Sequence, residues 1–256
     1  MVTRDTNWPE GTPCWVDLAA EDYDKAVAFY SELFGWTVQQ GPADFGGYAV
    51  ATKDGRAVAG LMPRVDPRQS SMWTVYFATD DIEVTTKKVV EAGGQVVAEP
   101  MDVGDMGRMA VFADLDGAVV GLWQGTSHTG FQLANEPGSV TWNEIYARDY
   151  ARSREFYAGV FGYTYDDIPM DGLDYATVSV GGQMVGGIGA LAGPMAGVAP
   201  HVSVCFKAAD TDATVTTVRR LGGRVIDEPE DSEYGRLAQV ADDQGHTFWI
   251  MADVAG

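Results

Sequence analysis

The sequence is poor in cysteine and in long apolar runs, and each shortage excludes a class of protein. Only Cys14 and Cys205 occur, one in each half, which is too few for a disulfide framework and predicts reduced, buried thiols in a cytoplasmic protein. No apolar run approaches the roughly 18 residues that span a bilayer. Residues 1–10 contain no apolar stretch, so we expect no signal peptide.

Basic residues are also scarce, with 17 Lys and Arg against 37 Asp and Glu, which gives a net charge of −20. A surface of this charge repels phosphate backbones and anionic membranes, so we expect neither nucleic acid nor a membrane as a partner. The same field would attract a cationic small molecule, although solubility alone also explains it.

The chain does contain an internal repeat, whose two copies together cover almost all of it. Residues 13–39 match residues 140–166 at nine of 27 positions, and residues 72–100 match residues 201–229 at ten of 29. A chain-long repeat fixes the organisation before any motif is considered. It predicts two domains, residues 1–125 and 139–256, joined by a linker over residues 126–138.

The hydrophobic pattern predicts a β-α-β-β-β module that occurs twice in each half. In the first half a strand over residues 14–19 precedes a helix that Asp22 caps and Gly35 ends, and three short strands follow. The pattern begins again with a strand over residues 73–79. Four modules give an α+β fold, and two modules side by side can curve their strands into a cup, the natural place for a ligand.

The motifs of both halves resemble the glyoxalase and bleomycin-resistance type of the vicinal oxygen chelate superfamily, in its tandem two-domain form. The resemblance implies two glyoxalase-like domains made by internal duplication. The motifs are WVDL at 15–18, LFGW at 33–36, WNEI at 142–145, FGY at 161–163, FADLDG at 112–117 and ADDQGH at 241–246.

In that superfamily a divalent metal in the cup is usually held by His or Gln on the first strand, His on the fifth and Glu on the eighth. Here those positions carry side chains that are poor metal ligands or none. We therefore expect no cofactor, and the standard metal mechanism is disfavoured. The positions are Trp15, Thr74 and Gly121 in the first half and Trp142, Ser203 and Trp249 in the second.

Each predicted cup instead receives an indole and a carboxylate, because residues two apart on a strand face the same side. Trp15 pairs with Asp17 in this way, and Trp142 with Glu144. Such a wall suits an aromatic or cationic ligand. The alternative is that the indoles are core residues and the carboxylates have protein partners. Tyr48 and Tyr175 correspond across the repeat and are further candidates to line the cups. Arg108 and Arg236 also correspond across the repeat and could pair with the carboxylates, although packing or surface roles explain all four residues at least as well.

Three residues of the second half form the one alternative metal or acid-base set that the sequence offers. These are Glu144, His201 and His246, although their scattered spacing favours the simpler explanation of ordinary polar residues at strand ends. His128 lies in the linker and is expected to be exposed. The glycine-rich residues 186–200 are expected to form a mobile flap over the second cup, and residues 227–233 a solvated acidic loop.

Two functions from different classes follow. The first is a metal-independent protein of the bleomycin-resistance type that binds an aromatic, in some cases cationic, metabolite through Trp15, Asp17, Tyr48, Thr74, Trp142, Glu144, Tyr175, His201, Ser203 and Trp249. It would serve antibiotic sequestration or a biosynthetic pathway. The second is a glyoxalase-like lyase, isomerase or hydroxylase that uses Asp17 or Glu144 as a general base, or a rebuilt metal site. A monomer or a homodimer fits either function, and one half could be purely structural.

Overall fold

A computed structural model of the protein describes residues 2–41, 46–64, 66, 71–169 and 172–253. The helices and strands fall in four repeated modules, as the sequence pattern predicts. The helices are α1 (Tyr23–Phe34), α2 (Ile82–Glu91), α3 (Tyr150–Phe161) and α4 (Thr211–Arg220), with a 3-10 turn at Gly193–Met195.

The strands of the first half are β1 (Val2–Thr3), β2 (Pro13–Ala20), β3 (Thr37–Gln40), β4 (Ala49–Lys53), β5 (Arg56–Pro63), β6 (Trp73–Ala78), β7 (Gln95–Val103), β8 (Gly107–Ala113), β9 (Val119–Gly125) and β10 (Leu133–Ala134). The short strands β1 and β10 pair with each other and join the two ends of this region. Those of the second half are β11 (Val140–Ala147), β12 (Thr164–Asp167), β13 (Tyr175–Val180), β14 (Gln183–Ala190), β15 (His201–Lys207), β16 (Arg224–Ser232), β17 (Gly235–Ala241) and β18 (Thr247–Ala252).

Each half forms its own eight-stranded sheet from its two modules. The order is β3-β4-β5-β2-β6-β9-β8-β7 in the first half and β12-β13-β14-β11-β15-β18-β17-β16 in the second. The two modules of a half meet at an antiparallel pair of central strands, β2 with β6 and β11 with β15. The modules that share a sheet therefore come from the same half of the chain.

The helices begin and end where the sequence indicates. The Asp22 carboxylate accepts a hydrogen bond from the backbone N–H of Lys25, and Gly35 ends α1 with a φ of 68°. Asp149 and Gly162 do the same for α3. The buried side chains of α1 recur three or four residues apart, at Ala26, Phe29, Tyr30 and Phe34, so one face of the helix packs inward.

The core lies between the two halves. Alternate residues of the central strands, such as Val16 and Leu18, point towards the helices and the other half and are fully buried. Aromatic rings cross the boundary, since Phe34 lies 4.9 Å from Phe206 and Phe77 lies 5.2 Å from Phe161 between ring centroids. The two halves thus bury one continuous apolar core, which leaves the opposite face of each sheet for a ligand.

The aspartate turn before the last strand of each half binds the first helix of the other half. The Tyr30 hydroxyl donates to Asp242 Oδ2 at 3.0 Å, and the Tyr157 hydroxyl donates to Asp114 Oδ2 at the same distance. Asp116 Oδ2 also accepts from the backbone N–H of Asp149 at 2.8 Å, next to the start of α3. The turns that carry the family resemblance are therefore connectors between the halves.

Replacing Tyr30 with phenylalanine is expected to lower the free energy of unfolding by about 1–3 kcal/mol, because a buried carboxylate loses one of its donors. Chemical denaturation measures the loss. Tyr23→Phe is the control, since Tyr23 is half-buried on the same helix, and its change should stay within about 0.5 kcal/mol. Equal changes in the two variants would contradict the proposed connection between the halves.

Candidate functional site

The outward face of each sheet carries the side chains that the alternation rule assigns to the cups. We call the face of the first sheet the N-terminal cup and that of the second sheet the C-terminal cup. In the N-terminal cup Trp15 lies opposite Tyr76, which lies opposite Gly121. In the C-terminal cup the same row is Trp142, Cys205 and Trp249.

The next row of each cup contains the carboxylate. Asp17 lies opposite Thr74 and Gly60. Glu144 lies opposite Ser203 and Gly187. The fifth-strand positions Thr74 and Ser203 are therefore level with the carboxylates rather than with the first-strand tryptophans.

These donor sets do not fit the divalent metal that such a fold implies. Neither row of either cup supplies more than one carboxylate, imidazole or thiol, and an indole has no lone pair for a metal. Within the described ranges no group of three His, Cys, Asp or Glu side chains is placed to hold an ion. We therefore assign no chemistry to a metal in either cup.

The N-terminal cup is closed by its own aromatic side chains. The Trp15 indole N–H donates to the Tyr48 hydroxyl at 2.7 Å, and Trp15 is only 3% exposed. Asp17 is 4% exposed, and its Oδ1 has no hydrogen-bond partner. Burial raises the pKa of Asp17 to about 7, although a hydrogen bond from Tyr76 opposes the shift. Trp15 and Asp17 thus lie deep inside the protein, whereas Tyr48 and Thr74 are partly buried.

The linker covers this cup, contrary to the expectation that His128 is exposed. The His128 ring lies 4.4 Å from the Trp15 ring and 5.4 Å from the Trp123 ring, and its Nε2 is buried without a partner. Phe131 lies 5.6 Å from Trp15 and is buried. Burial lowers the pKa of His128 to about 4, so the ring is neutral at pH 7.

The C-terminal cup is open by comparison. All six predicted ligand-binding residues there are only partly buried: Trp142, Glu144, Tyr175, His201, Ser203 and Trp249. A cavity of about 520 Å³ lies between the floor of the cup and the edge strand β16. It is lined by Ile226, Asp227, Glu228, Pro229, Glu230, Leu237 and Trp249. The volume falls in the range of small-molecule sites.

Glu144 is held by two phenols in the C-terminal cup. The Tyr146 hydroxyl donates to its Oε2 at 2.6 Å, and the Tyr175 hydroxyl donates to its Oε1 at 2.8 Å. The nearby carboxylate and burial raise the pKa of both phenols, burial being the larger cause, so both stay protonated as donors. The carboxylate is thus fixed in place, and its half-exposed position leaves it able to meet a ligand.

His201 stands beside this carboxylate system. Its ring stacks on Tyr146 with centroids 5.1 Å apart, and its Nδ1 lies 2.8 Å from the carbonyl oxygen of Ala199. Because a carbonyl only accepts, Nδ1 is the donor of this hydrogen bond. Strand alternation from Glu144 could have found Tyr146, which the sequence analysis missed.

Glycines in both cups make room for the paired tyrosines. A Cβ at Gly60 would overlap the Tyr48 hydroxyl, and a Cβ at Gly187 would overlap the Tyr175 hydroxyl. The expected flap over residues 186–200 is therefore wrong for its first part, because residues 186–190 belong to β14. Their glycines permit close approach of a ring to the strand rather than flexibility.

The three-residue metal set is not brought together. His246 lies on the core side of the second sheet, where its Nδ1 is 2.6 Å from Asp242 Oδ2 and its Nε2 is 2.7 Å from Ser71 Oγ. Burial opposes ionisation of Asp242, but hydrogen bonds from His246 and the backbone outweigh it and lower its pKa. With 3% of His246 exposed, this chain of contacts joins the halves and stays out of reach of a substrate.

Two further expectations are wrong. Arg108 pairs with Glu83 and Asp102, and Arg236 pairs with acidic residues of its own half, so neither arginine neutralises a carboxylate of a cup. The acidic residues 227–231 form part of the edge strand β16, and three of them line the C-terminal cavity. A negative rim therefore belongs to the cup rather than to a remote loop.

Comparison with known proteins agrees with this architecture. The model of the glyoxalase/bleomycin resistance protein/dioxygenase superfamily matches residues 14–122 and 126–250. The chain is 39% identical over 257 residues to the putative glyoxylase CFP32 of Mycobacterium tuberculosis, with 98% of each chain covered. It is 37% identical over 262 residues to the anthracycline biosynthesis protein DnrV of Streptomyces peucetius, covering 96% of this chain and 94% of that one.

Solved structures show the same fold. A Mn(II)-bound glyoxalase from Novosphingobium aromaticivorans superposes with a TM-score of 0.68 at 15% identity, covering 96% of this chain and 83% of that one. A 2,2',3-trihydroxybiphenyl 1,2-dioxygenase from Sphingomonas wittichii gives 0.65 at 18% identity, covering 95% and 90%. No helix in the described part of the chain has the length and apolar character to cross a bilayer.

Proposed function

The chain belongs to the glyoxalase/bleomycin resistance protein/dioxygenase superfamily, and on that premise we propose that its C-terminal cup binds an aromatic small molecule without a metal, with a preference for cations. The observation that carries the proposal is the cavity of about 520 Å³ between Trp249 and the acidic strand β16. An indole with apolar neighbours binds a planar ring, and carboxylates at the rim attract positive charge.

The position of Glu144 supports the same proposal. Its carboxylate is partly exposed in the cup, and both its oxygens are oriented by phenol hydroxyls. A ligand ammonium group could contact this fixed anion without ordering it first, which saves binding entropy. The relatives named for anthracycline biosynthesis fit a role in the handling of an aromatic natural product, either in its biosynthesis or by sequestration.

The proposal is tested by titrating the protein with proflavine, a planar aromatic cation, and following tryptophan fluorescence and heat release. Anthraquinone-2-sulfonate, a planar anion, is the matched probe of opposite charge. We expect saturable binding of proflavine that is at least about tenfold tighter than that of the anion, a difference of about 1.4 kcal/mol. Equal affinities, or flat titrations of both probes, would contradict the proposal.

Glu144→Gln is expected to weaken proflavine binding by about tenfold or more, because a charge-assisted contact contributes about 1.5–3 kcal/mol. Affinity for the anionic probe should not fall. Glu155→Gln, which removes the same charge from an exposed position of α3, is the control and should leave the dissociation constant unchanged. An equal loss of proflavine affinity in both variants would show that the effect comes from the overall negative charge of the protein and not from a contact in the cup.

One observation favours an enzymatic alternative. Glu144 and His201 lie on one face of neighbouring strands in the C-terminal cup, and their side chains could transfer a proton on a small carbonyl metabolite. The test is turnover of the hemithioacetal of methylglyoxal and glutathione. Turnover that disappears in Glu144→Gln would support the alternative, whereas its absence in the wild type would count against it.

A further inference from the structure

The N-terminal cup differs from the C-terminal cup in what fills it. After β9 the chain turns back over the cup, where the Trp123 indole N–H donates to the carbonyl of His128 at 2.8 Å and the Phe131 N–H donates to the carbonyl of Cys14 at 2.7 Å. Gly130 between them has a φ of 88° and lies against Cys14. Anchors on both sides therefore hold residues 128–131 over the cup.

The ring that enters the cup is that of His128. It stands nearly perpendicular to the Trp15 ring, at 87°, with centroids 4.4 Å apart, and it also contacts Trp123. This is a favourable edge-to-face geometry for two aromatic rings. Its buried Nε2 makes no hydrogen bond in the described structure. The ring is therefore held by packing against the two indoles rather than by its polar atoms.

The corresponding residues of the C-terminal cup are more exposed. Trp142 and Met251 occupy the positions of Trp15 and Trp123, and Trp142 is partly exposed whereas Trp15 is buried. Trp15 thus contacts an aromatic ring of the chain itself, whereas the equivalent Trp142 lies in an open cup.

We propose that His128 occupies the N-terminal cup as an internal ligand, so that each chain binds one external aromatic molecule, and that removal of this ring turns the N-terminal cup into a second site for a small aromatic molecule. The expectation of one molecule per chain rests on the proposed function of the C-terminal cup. The second site does not depend on it.

The test uses the full chain with His128→Ala and imidazole as the probe, at pH 8, where imidazole is mostly neutral. We expect the variant to melt at a lower temperature than the wild type and imidazole to restore part of the loss, because the ring refills the space between two indoles. Imidazole at the same concentration should not raise the wild-type melting temperature. If the variant folds only when imidazole is present, this dependence also supports the proposal.

Two further variants separate the proposal from general effects. His128→Leu fills the space with an aliphatic group and should not respond to imidazole. His201→Ala removes a ring from the open C-terminal cup and should show no recovery, since no enclosed space is created. Recovery in all three variants, or in none, would overturn the internal-ligand assignment.

Stoichiometry provides the last readout. Wild-type protein should bind one proflavine per chain, and Trp15→Phe should leave the dissociation constant unchanged whereas Trp249→Phe should raise it. Two molecules per wild-type chain, or loss of binding in Trp15→Phe alone, would overturn the proposal. If wild-type protein binds no proflavine, the proposed function fails, yet the imidazole experiment still decides whether the N-terminal cup holds His128 as a ligand.

Discussion

Replacing Gly121 with alanine is expected to destabilise the protein by about 3 kcal/mol or more, the largest loss we foresee for one added methyl group. The Tyr76 ring lies directly on the backbone of Gly121, and a Cβ there would overlap it. Tyr76 is 6% exposed and donates to the buried Asp17, so it cannot move aside without breaking that contact. Urea denaturation of the variant and the wild type measures the loss.

Gly159→Ala is the matched control for this substitution. Gly159 lies in α3 with no atom near the position of an added Cβ, so alanine should stabilise the helix by about 0.5–1 kcal/mol. The same chemical change should therefore have opposite signs at the two sites. A loss below about 1 kcal/mol at Gly121 would show that Tyr76 does not occupy the cup as described.

Asp17→Asn is expected to make the protein more stable than the wild type at pH 8, by up to about 4 kcal/mol. The pKa of Asp17 rises from an unfolded value near 3.8 to about 7 in the folded protein, because burial disfavours the charged form. A shift of roughly 3 units corresponds to about 4 kcal/mol. Asparagine is neutral at every pH and keeps an acceptor for Tyr76.

The sign follows from proton linkage. The raised pKa contributes stability that is fully present below about pH 4 and is lost as the pH rises through 7. Unfolding free energies of the wild type and Asp17→Asn should therefore diverge between pH 4 and pH 8, with the variant the more stable at the upper end. Asp24→Asn, at an exposed position of α1, should run parallel to the wild type. Parallel curves for Asp17→Asn would contradict the burial of this carboxylate.

The sequence predicted the fold well because the fold depends on local signals that repeat. The caps at Asp22 and Gly35 reflect the short-range geometry of helix ends, and the same signals recur at Asp149 and Gly162. Strand alternation placed Trp15 with Asp17, and Trp142 with Glu144, on the outward faces.

Details that depend on strand register were harder to predict from the sequence. The first and fifth strands pair with an irregularity beside Trp15 and Trp142, so Tyr76 and Cys205, rather than Thr74 and Ser203, stand level with the tryptophans. A bulge adds one residue to one strand and leaves no clear mark in a single sequence. The same row then differs in residue type, with Tyr76 beside Gly121 in the N-terminal cup and Cys205 beside Trp249 in the C-terminal cup.

Predictions made from composition were wrong where contacts with the rest of the protein determine the structure. Residues 126–138 have the composition of a linker, yet His128 and Phe131 pack against Trp15. The acidic residues 227–231 read as a loop but pair with β17. His246 seemed available to the cup, although strand and turn geometry place it against Ser71 and Asp242. The contacts of His128 and Phe131 with Trp15, and of His246 with Ser71, join residues far apart in the sequence, so no periodicity reveals them.

A crystal structure of the protein with proflavine tests the central claim most directly. We predict one molecule per chain in the C-terminal cup, stacked on Trp249 in the cavity beside β16, with its charge towards Glu144 and the carboxylates of the rim, and no molecule beside Trp15. Density for the ligand in the N-terminal cup with His128 displaced, or a divalent ion held by protein side chains in either cup, would contradict the account.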